Sequence, residues 1–179
     1  MKLRLPGNPL VRFLLLFILL YTTWYAFYQW VVNPNGKLDS FVINSSVAST
    51  AALLKFLGYT VFTTHSETIR TVGIDGTNGL WIGDPCDGIT LFALFTAFII
   101  AFPGSWKHKA WFIPAGIVCI FGVNVLRITG LCMIVLYHPS WLEINHDYIF
   151  KIGVYAFIFW LWMIWINRFS PLRFSPAAQ

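Results

Sequence analysis

The chain has 179 residues, of which 58% are hydrophobic, 18% aromatic and only 11% charged. Soluble domains carry roughly a quarter charged residues; long apolar runs dominate here instead, and they define an integral membrane protein. The net charge of +5 does not point to nucleic acid, because Lys2, Arg4, Arg12, Lys107, Lys109, Arg168 and Arg173 flank apolar runs, which is the arrangement of topology signals. Three cysteines, two of them inside one apolar run, make no disulfide framework.

Leu10 to Trp30 is the first apolar run, and it has the length a bilayer requires. Basic residues precede it and place the N-terminus in the cytoplasm. Its aromatic end, from Tyr21 to Trp30, offers no small-residue cleavage site, so the segment reads as a retained anchor spanning about residues 10–32. Residues 33–85 form the one long polar stretch, expected outside the cytoplasm. Within it Leu38 to Leu57 predicts a helix lying at the interface or packed on the bundle. Tyr59–Thr64 and Thr68–Ile74 are β-branched and aromatic, and Asn78-Gly79 is a turn signal before Leu80-Trp81-Ile82, so a small hairpin or three-stranded cap follows.

Trp81-Ile82-Gly83-Asp84-Pro85-Cys86-Asp87-Gly88-Ile89 joins that cap to the next apolar run. Asp84 has N-cap chemistry and Pro85 suits a first helical position. Cys86 would then fall in the first turn, where free N–H groups and the helix dipole favour a thiolate; Asp87 opposes this as a like charge. An isolated cysteine at a helix start is more often simple packing. The second span is expected at about 86–104, ending at Pro103-Gly104, and the basic loop Ser105–Lys109 should be cytoplasmic. The third, about 110–137, would measure about 42 Å as one helix, longer than the ~30 Å hydrocarbon core, so it tilts, bends near Pro114 or protrudes. His138 to Asp147 reads as an outer loop, and the fourth span, about 148–167, returns the C-terminus to the cytoplasm. The expected fold is thus an all-α membrane protein: one integral membrane domain, four transmembrane helices, both termini cytoplasmic, and an extracytoplasmic helix and β-hairpin cap between spans one and two.

Arg127 stands inside the third span, where a charged side chain is unfavourable by at least about 2.5 kcal/mol and by default has a partner and a purpose. Asn124, three residues earlier, shares its face. A purely structural arginine bonded to carbonyls or a carboxylate is the competing reading. His146 begins the fourth span on the same outer side as Cys86. His138 is a competitor and His65 a weaker one, and His108 lies on the opposite side of the membrane. Cys132 reads as packing, and Gly116, Gly122 and Gly130 as helix-contact positions. Cys86, Arg127 and His146 can therefore converge from three spans and supply a nucleophile, a cationic stabiliser and a proton carrier, as a cysteine-protease-like reaction needs. Arg127 would sit about 15 Å below the end of its helix, so it meets Cys86 only if that helix protrudes or the cysteine lies in a cavity. The histidines lack metal-binding spacing and there is no phosphate-binding glycine loop, so no metal and no other cofactor is expected.

Cys86-Asp87-Gly88, Asn124-Val125-Leu126-Arg127-Ile128 and His146-Asp147, in that order, resemble the exosortase/archaeosortase family of membrane transpeptidases, in its short, compact form. The resemblance implies that Cys86, Arg127 and His146 are catalytic. It further implies cleavage of a C-terminal sorting tail from exported, membrane-anchored proteins at the outer face of the cell (inner, cytoplasmic) membrane, with transfer of the new C-terminus to an acceptor. Asn124 matches the motif as a supporting residue, and Asp87 and Asp147 are candidates to bind a basic or amine group. The partners implied are sorting-signal-bearing substrates and membrane lipid. Two other readings fit the same residues: a non-catalytic component of envelope assembly, and a Cys-dependent membrane acyltransferase.

Overall fold

The computed structural model describes residues 8–65, 70–83 and 88–171. Helix α1 (Pro9–Phe27) starts where Asn8 Oδ1 accepts the Leu10 N–H and Pro9 occupies the first turn, the arrangement that suits a residue without an N–H. It runs on through a π-helical turn at Tyr28–Val32 and a last short turn, α2 (Asn33–Asn35). Gly36, with φ +57°, turns the chain directly into α3 (Lys37–Phe56). The Tyr28 hydroxyl donates to Asp39 Oδ1 at 2.6 Å and fastens the end of one helix to the start of the next.

The predicted α3 helix packs on the bundle. Its buried residues, Asp39, Ile43, Ser46, Val47, Thr50, Ala51 and Leu54, fall at the three- and four-residue spacing of one helical face. That face lies against the sheet and against the later half of α5. The sheet holds β1 (Val61–His65), β2 (Arg70–Ile74) and β3 (Leu80–Trp81), antiparallel in that order. Val61 pairs with Ile74 and Val72 with Leu80. Residues 66–69, expected to hold the hairpin turn, lie outside the described residues.

Helix α4 (Ile89–Ala101) is followed by α5 (Trp106–Tyr137), and α7 (Phe150–Phe169) closes the bundle. Among the described residues three helices, at Leu10–Asn35, Trp106–Tyr137 and Phe150–Phe169, are long and apolar enough to cross a membrane; α4 is apolar and has 13 residues. Lys107 and Lys109 belong to the first turn of α5, not to a loop. Lys109 is buried, sits over the Trp106 ring and donates from Nζ to the Ile100 carbonyl at 2.7 Å. A cation there satisfies a carbonyl that the end of α4 leaves free and suits the negative end of its dipole. The segment after α5 is helical as well, through Pro139–Trp141, α6 (Leu142–Ile144) and a π-helical turn at Asn145–Ile149.

Helix α5 is continuous through Pro114 over 32 residues, about 48 Å, and it belongs to two cores. Its first half packs Phe112 and Ile120 with Phe95, Ile99, Ile158 and Trp165 of α4 and α7. Its second half packs Ile128 and Cys132 with Ile43 and Val47 of α3 and Val72 of the sheet. The bend considered near Pro114 does not interrupt the helix, and its second half packs against α3 and the sheet.

Candidate active site

The change from one core to the other falls between Ile120 and Ile128, and Asn124 and Arg127 stand in that interval. Both are buried, Asn124 completely and Arg127 to 7% exposure. Two polar side chains therefore stand on a largely apolar stretch of the helix, at the boundary between the cores. Both interact with neighbouring groups.

The α4–α5 pair runs antiparallel in a register fixed by contacts along its length. Lys109 reaches Ile100, Gly116 lies under the Phe95 ring, and Gly88 faces Asn124. A Cβ on Gly88 would sit 3.7 Å from Asn124 Nδ2, so the start of α4 rests on the polar interval of α5. Gly88 is the N-cap of α4 with φ +84°, a left-handed conformation that disfavours side chains. As described, α4 begins at Ile89, directly after this left-handed glycine; the cap expected at Asp84 and the first-turn positions expected for Pro85 and Cys86 fall, with Asp87, outside the described residues.

On the other flank, Gly130, three residues after Arg127, faces Phe150 of α7; a Cβ there would lie 2.9 Å from Phe150 Cζ. His146 is four residues before Phe150, in the π-helical turn, half-buried and in contact with neighbouring groups. Arg127 lies three residues before Gly130 and His146 four before Phe150, each about one helical turn from this contact along its own chain. The π turn adds a residue to the helical ladder and so resets which face His146 occupies relative to α7, a device that recurs at functional sites. Asn145, also buried, closes this turn by donating from Nδ2 to the Trp141 carbonyl at 2.8 Å. Asp147 belongs to the same turn, but its side chain lies outside the described residues.

The competing histidines separate from this place. His138 is exposed beyond the end of α5, with its ring 6.3 Å from Trp141. His108 is exposed at the far end of the bundle, 5.2 Å from the Phe169 ring; the His65 side chain lies outside the described residues. Cys132 is packed in the cap core with Sγ 3.8 Å from the Val72 carbonyl, and Cys119 is exposed on α5. Gly116 and Gly130 are contact positions as expected, whereas Gly122 faces open space. Among the described residues no group of three or more His, Cys, Asp or Glu could hold a metal ion.

The sequence reading passed over the polar residues of α3. Asp39, Ser46 and Thr50 are all buried, and Arg70 of β2 donates from Nη2 to Ser40 Oγ at 2.6 Å. The signal was available: these residues share the face of Ile43, Val47 and Leu54.

An apolar bundle bearing a buried Asn–Arg pair, a half-buried histidine and a small sheet that leads into the pair defines a polytopic membrane protein with a polar site at one end of its helices. The sequence profile of transmembrane exosortases matches residues 5–166, and the chain belongs to that family. Comparison with curated proteins gave no match, and comparison with solved structures gave none either.

Proposed function

We propose that the protein is a membrane cysteine transpeptidase that removes a C-terminal sorting tail from exported proteins, with Cys86 as nucleophile, Arg127 as cationic stabiliser and His146 as proton carrier. The observation that carries this reading is the convergence of the chain on the polar interval of α5. Ile82 packs in the cap core with Ile128 and Cys132, and Gly88 rests on Asn124. Chain connectivity alone keeps the Cα of Cys86 within about 7 Å of that of Gly88. Family membership and the order Cys, Asn-x-x-Arg, His support the same assignment.

In this reaction the Cys86 thiolate attacks the scissile carbonyl carbon and the C–S bond forms. Arg127 holds the thiolate and then the developing oxyanion, a role a guanidinium performs best away from bulk water. His146 gives its proton to the departing amine as the C–N bond breaks. An acceptor hydroxyl, amine or water then loses a proton to His146 and attacks the thioester, and the C–S bond breaks to restore the thiolate. Asn124 positions the segment around Gly88, and Asp87 and Asp147 attract the basic or amine portion of a reactant.

The reading includes a topology. Helices α1, α5 and α7 span the membrane, α4 with the residues before it forms the remaining span, and both termini lie in the cytoplasm of the cell membrane. The sheet and α3 form the extracytoplasmic cap, and the site opens to that side. The basic residues at the Lys107–Lys109 end support this orientation. The test is tail processing of a co-expressed sorting-signal protein. Cys86→Ala is expected to abolish cleavage while the protein inserts and accumulates normally. Unchanged cleavage by a well-inserted Cys86→Ala variant would overturn the reading and favour a non-catalytic role in envelope assembly; an acyl group instead of a peptide on Cys86 would favour acyl transfer.

A further inference from the structure

Between α1, α3 and α4 lies a cavity of about 340 Å³ walled almost entirely by hydrocarbon. Leu20 and Trp24 of α1 and Leu38 and Val42 of α3 form two sides, and the face of α4 from Ile89 to Ile100 forms its floor, with Thr96 the one hydroxyl-bearing residue. It has about twice the volume of the ~150 Å³ apolar cavities that take up a benzene ring and stay free of water. Its length, the rise of α4 from Ile89 to Ile100, is about 16 Å. That is close to half of the ~30 Å hydrocarbon core, the thickness of one leaflet.

We propose that this cavity is a binding site for one acyl chain of a membrane phospholipid. Size, length and lining match a single chain, and a whole helix of about 10 Å diameter does not enter a space of this volume. The surroundings also present a place for the head group. Lys37 is exposed in the first turn of α3, immediately before the lining residue Leu38. No side chain caps that turn, which follows Gly36. Lys37 gives the end of the hydrocarbon slot a cation complementary to a phosphodiester, while Asp39 of the same turn is buried and takes the Tyr28 hydroxyl. One end of the slot is Ile89, the residue after Gly88, so a lipid held there would stand beside the polar interval of α5. The site does not depend on the catalytic role of Cys86.

The test is photolabelling of the purified protein in phosphatidylcholine–phosphatidylglycerol vesicles doped with a phosphatidylglycerol that carries a mid-chain diazirine. Labelled residues are then mapped by mass spectrometry. The proposal expects label concentrated on the peptides holding Trp24, Leu38–Val42 and Phe92–Thr96. Ala93→Phe and Thr96→Phe, two independent ways of filling the slot, should each lower that labelling at least fivefold, whereas Val118→Phe on the exposed face of α5 should leave it unchanged. Lys37→Gln should lower it severalfold. Label spread evenly over the exposed positions Val118, Ile152 and Phe159, and insensitive to both slot-filling variants, would overturn the acyl-chain site. Slot labelling fully retained in Lys37→Gln would overturn the head-group assignment.

Discussion

Arg127 is the residue on which structure and chemistry meet. It is buried at the boundary between two cores, and its neighbours along the helix, Val125, Ile128 and Leu131, are buried and apolar. A guanidinium in such a place is planar, always charged and able to form paired hydrogen bonds in a way an ammonium cannot. Arg127→Lys is therefore expected to insert and unfold as the wild type does and to lose tail cleavage by at least about a hundredfold. The check is cleavage rate alongside detergent unfolding of the same preparation; a cleavage rate within a few-fold of wild type would assign Arg127 to charge alone. Gly88 allows a second prediction at this scale. Its φ of +84° makes Gly88→Ala destabilising by about 1–2 kcal/mol, although the added Cβ would meet Asn124 only at ordinary contact distance. Urea unfolding in detergent should show that loss, with Gly88→Asn losing less because asparagine tolerates the left-handed region.

Among the elements, α5 joins the parts. The same helix supplies Gly116 to the Phe95 contact, Asn124 to the start of α4, Gly130 to the Phe150 contact and Cys132 to the cap. Its glycines are not equivalent. A methyl group at Gly116 would run into the Phe95 ring, which is fully buried and has nowhere to move, whereas Gly122 faces open space. Gly116→Ala should lower stability by about 1–3 kcal/mol, and Gly122→Ala should be neutral or slightly stabilising because alanine is the better helix former. Equal unfolding midpoints for the two variants would contradict the packing described.

The apolar runs, the basic residues between them and the order of the three motif residues were legible in the sequence because each rests on local patterning. The strands and α3 were legible too: the β-branched and aromatic runs Tyr59–Thr64 and Thr68–Ile74, with the turn signal Asn78-Gly79 before Leu80, foretold the sheet, and the helical spacing of apolar residues over Leu38–Leu57 foretold α3. What sequence could not supply was tertiary. The left-handed Gly88, seated on Asn124 immediately before Ile89, is a feature of tertiary packing that local patterning does not encode. Lys109 looked like a loop cation until the end of α4 came within its reach. His146 was read in a loop, and π-helical turns leave no periodic signature that would have shown otherwise.

For the whole molecule, two apolar cores share α5, one within the helix bundle and one with α3 and the sheet, and Asn124 and Arg127 stand between them. The proposed topology is testable without a substrate: in a background carrying Cys86→Ser, Cys119→Ser and Cys132→Ser, Lys107→Cys and Asn33→Cys should label from opposite sides of sealed vesicles with a membrane-impermeant maleimide. Labelling of both from the same side would contradict the proposed orientation. The central claim, that Cys86 is the nucleophile beside Arg127 and His146, is tested most directly by trapping. Wild type, Cys86→Ser and His146→Ala, each in lipid, are incubated with a tail-bearing protein and analysed by intact mass. The account predicts a covalent peptide adduct on Cys86 in the wild type and none in Cys86→Ser. Absence of any adduct on wild type that demonstrably cleaves the tail, or an adduct that persists in Cys86→Ser at another residue, would contradict it.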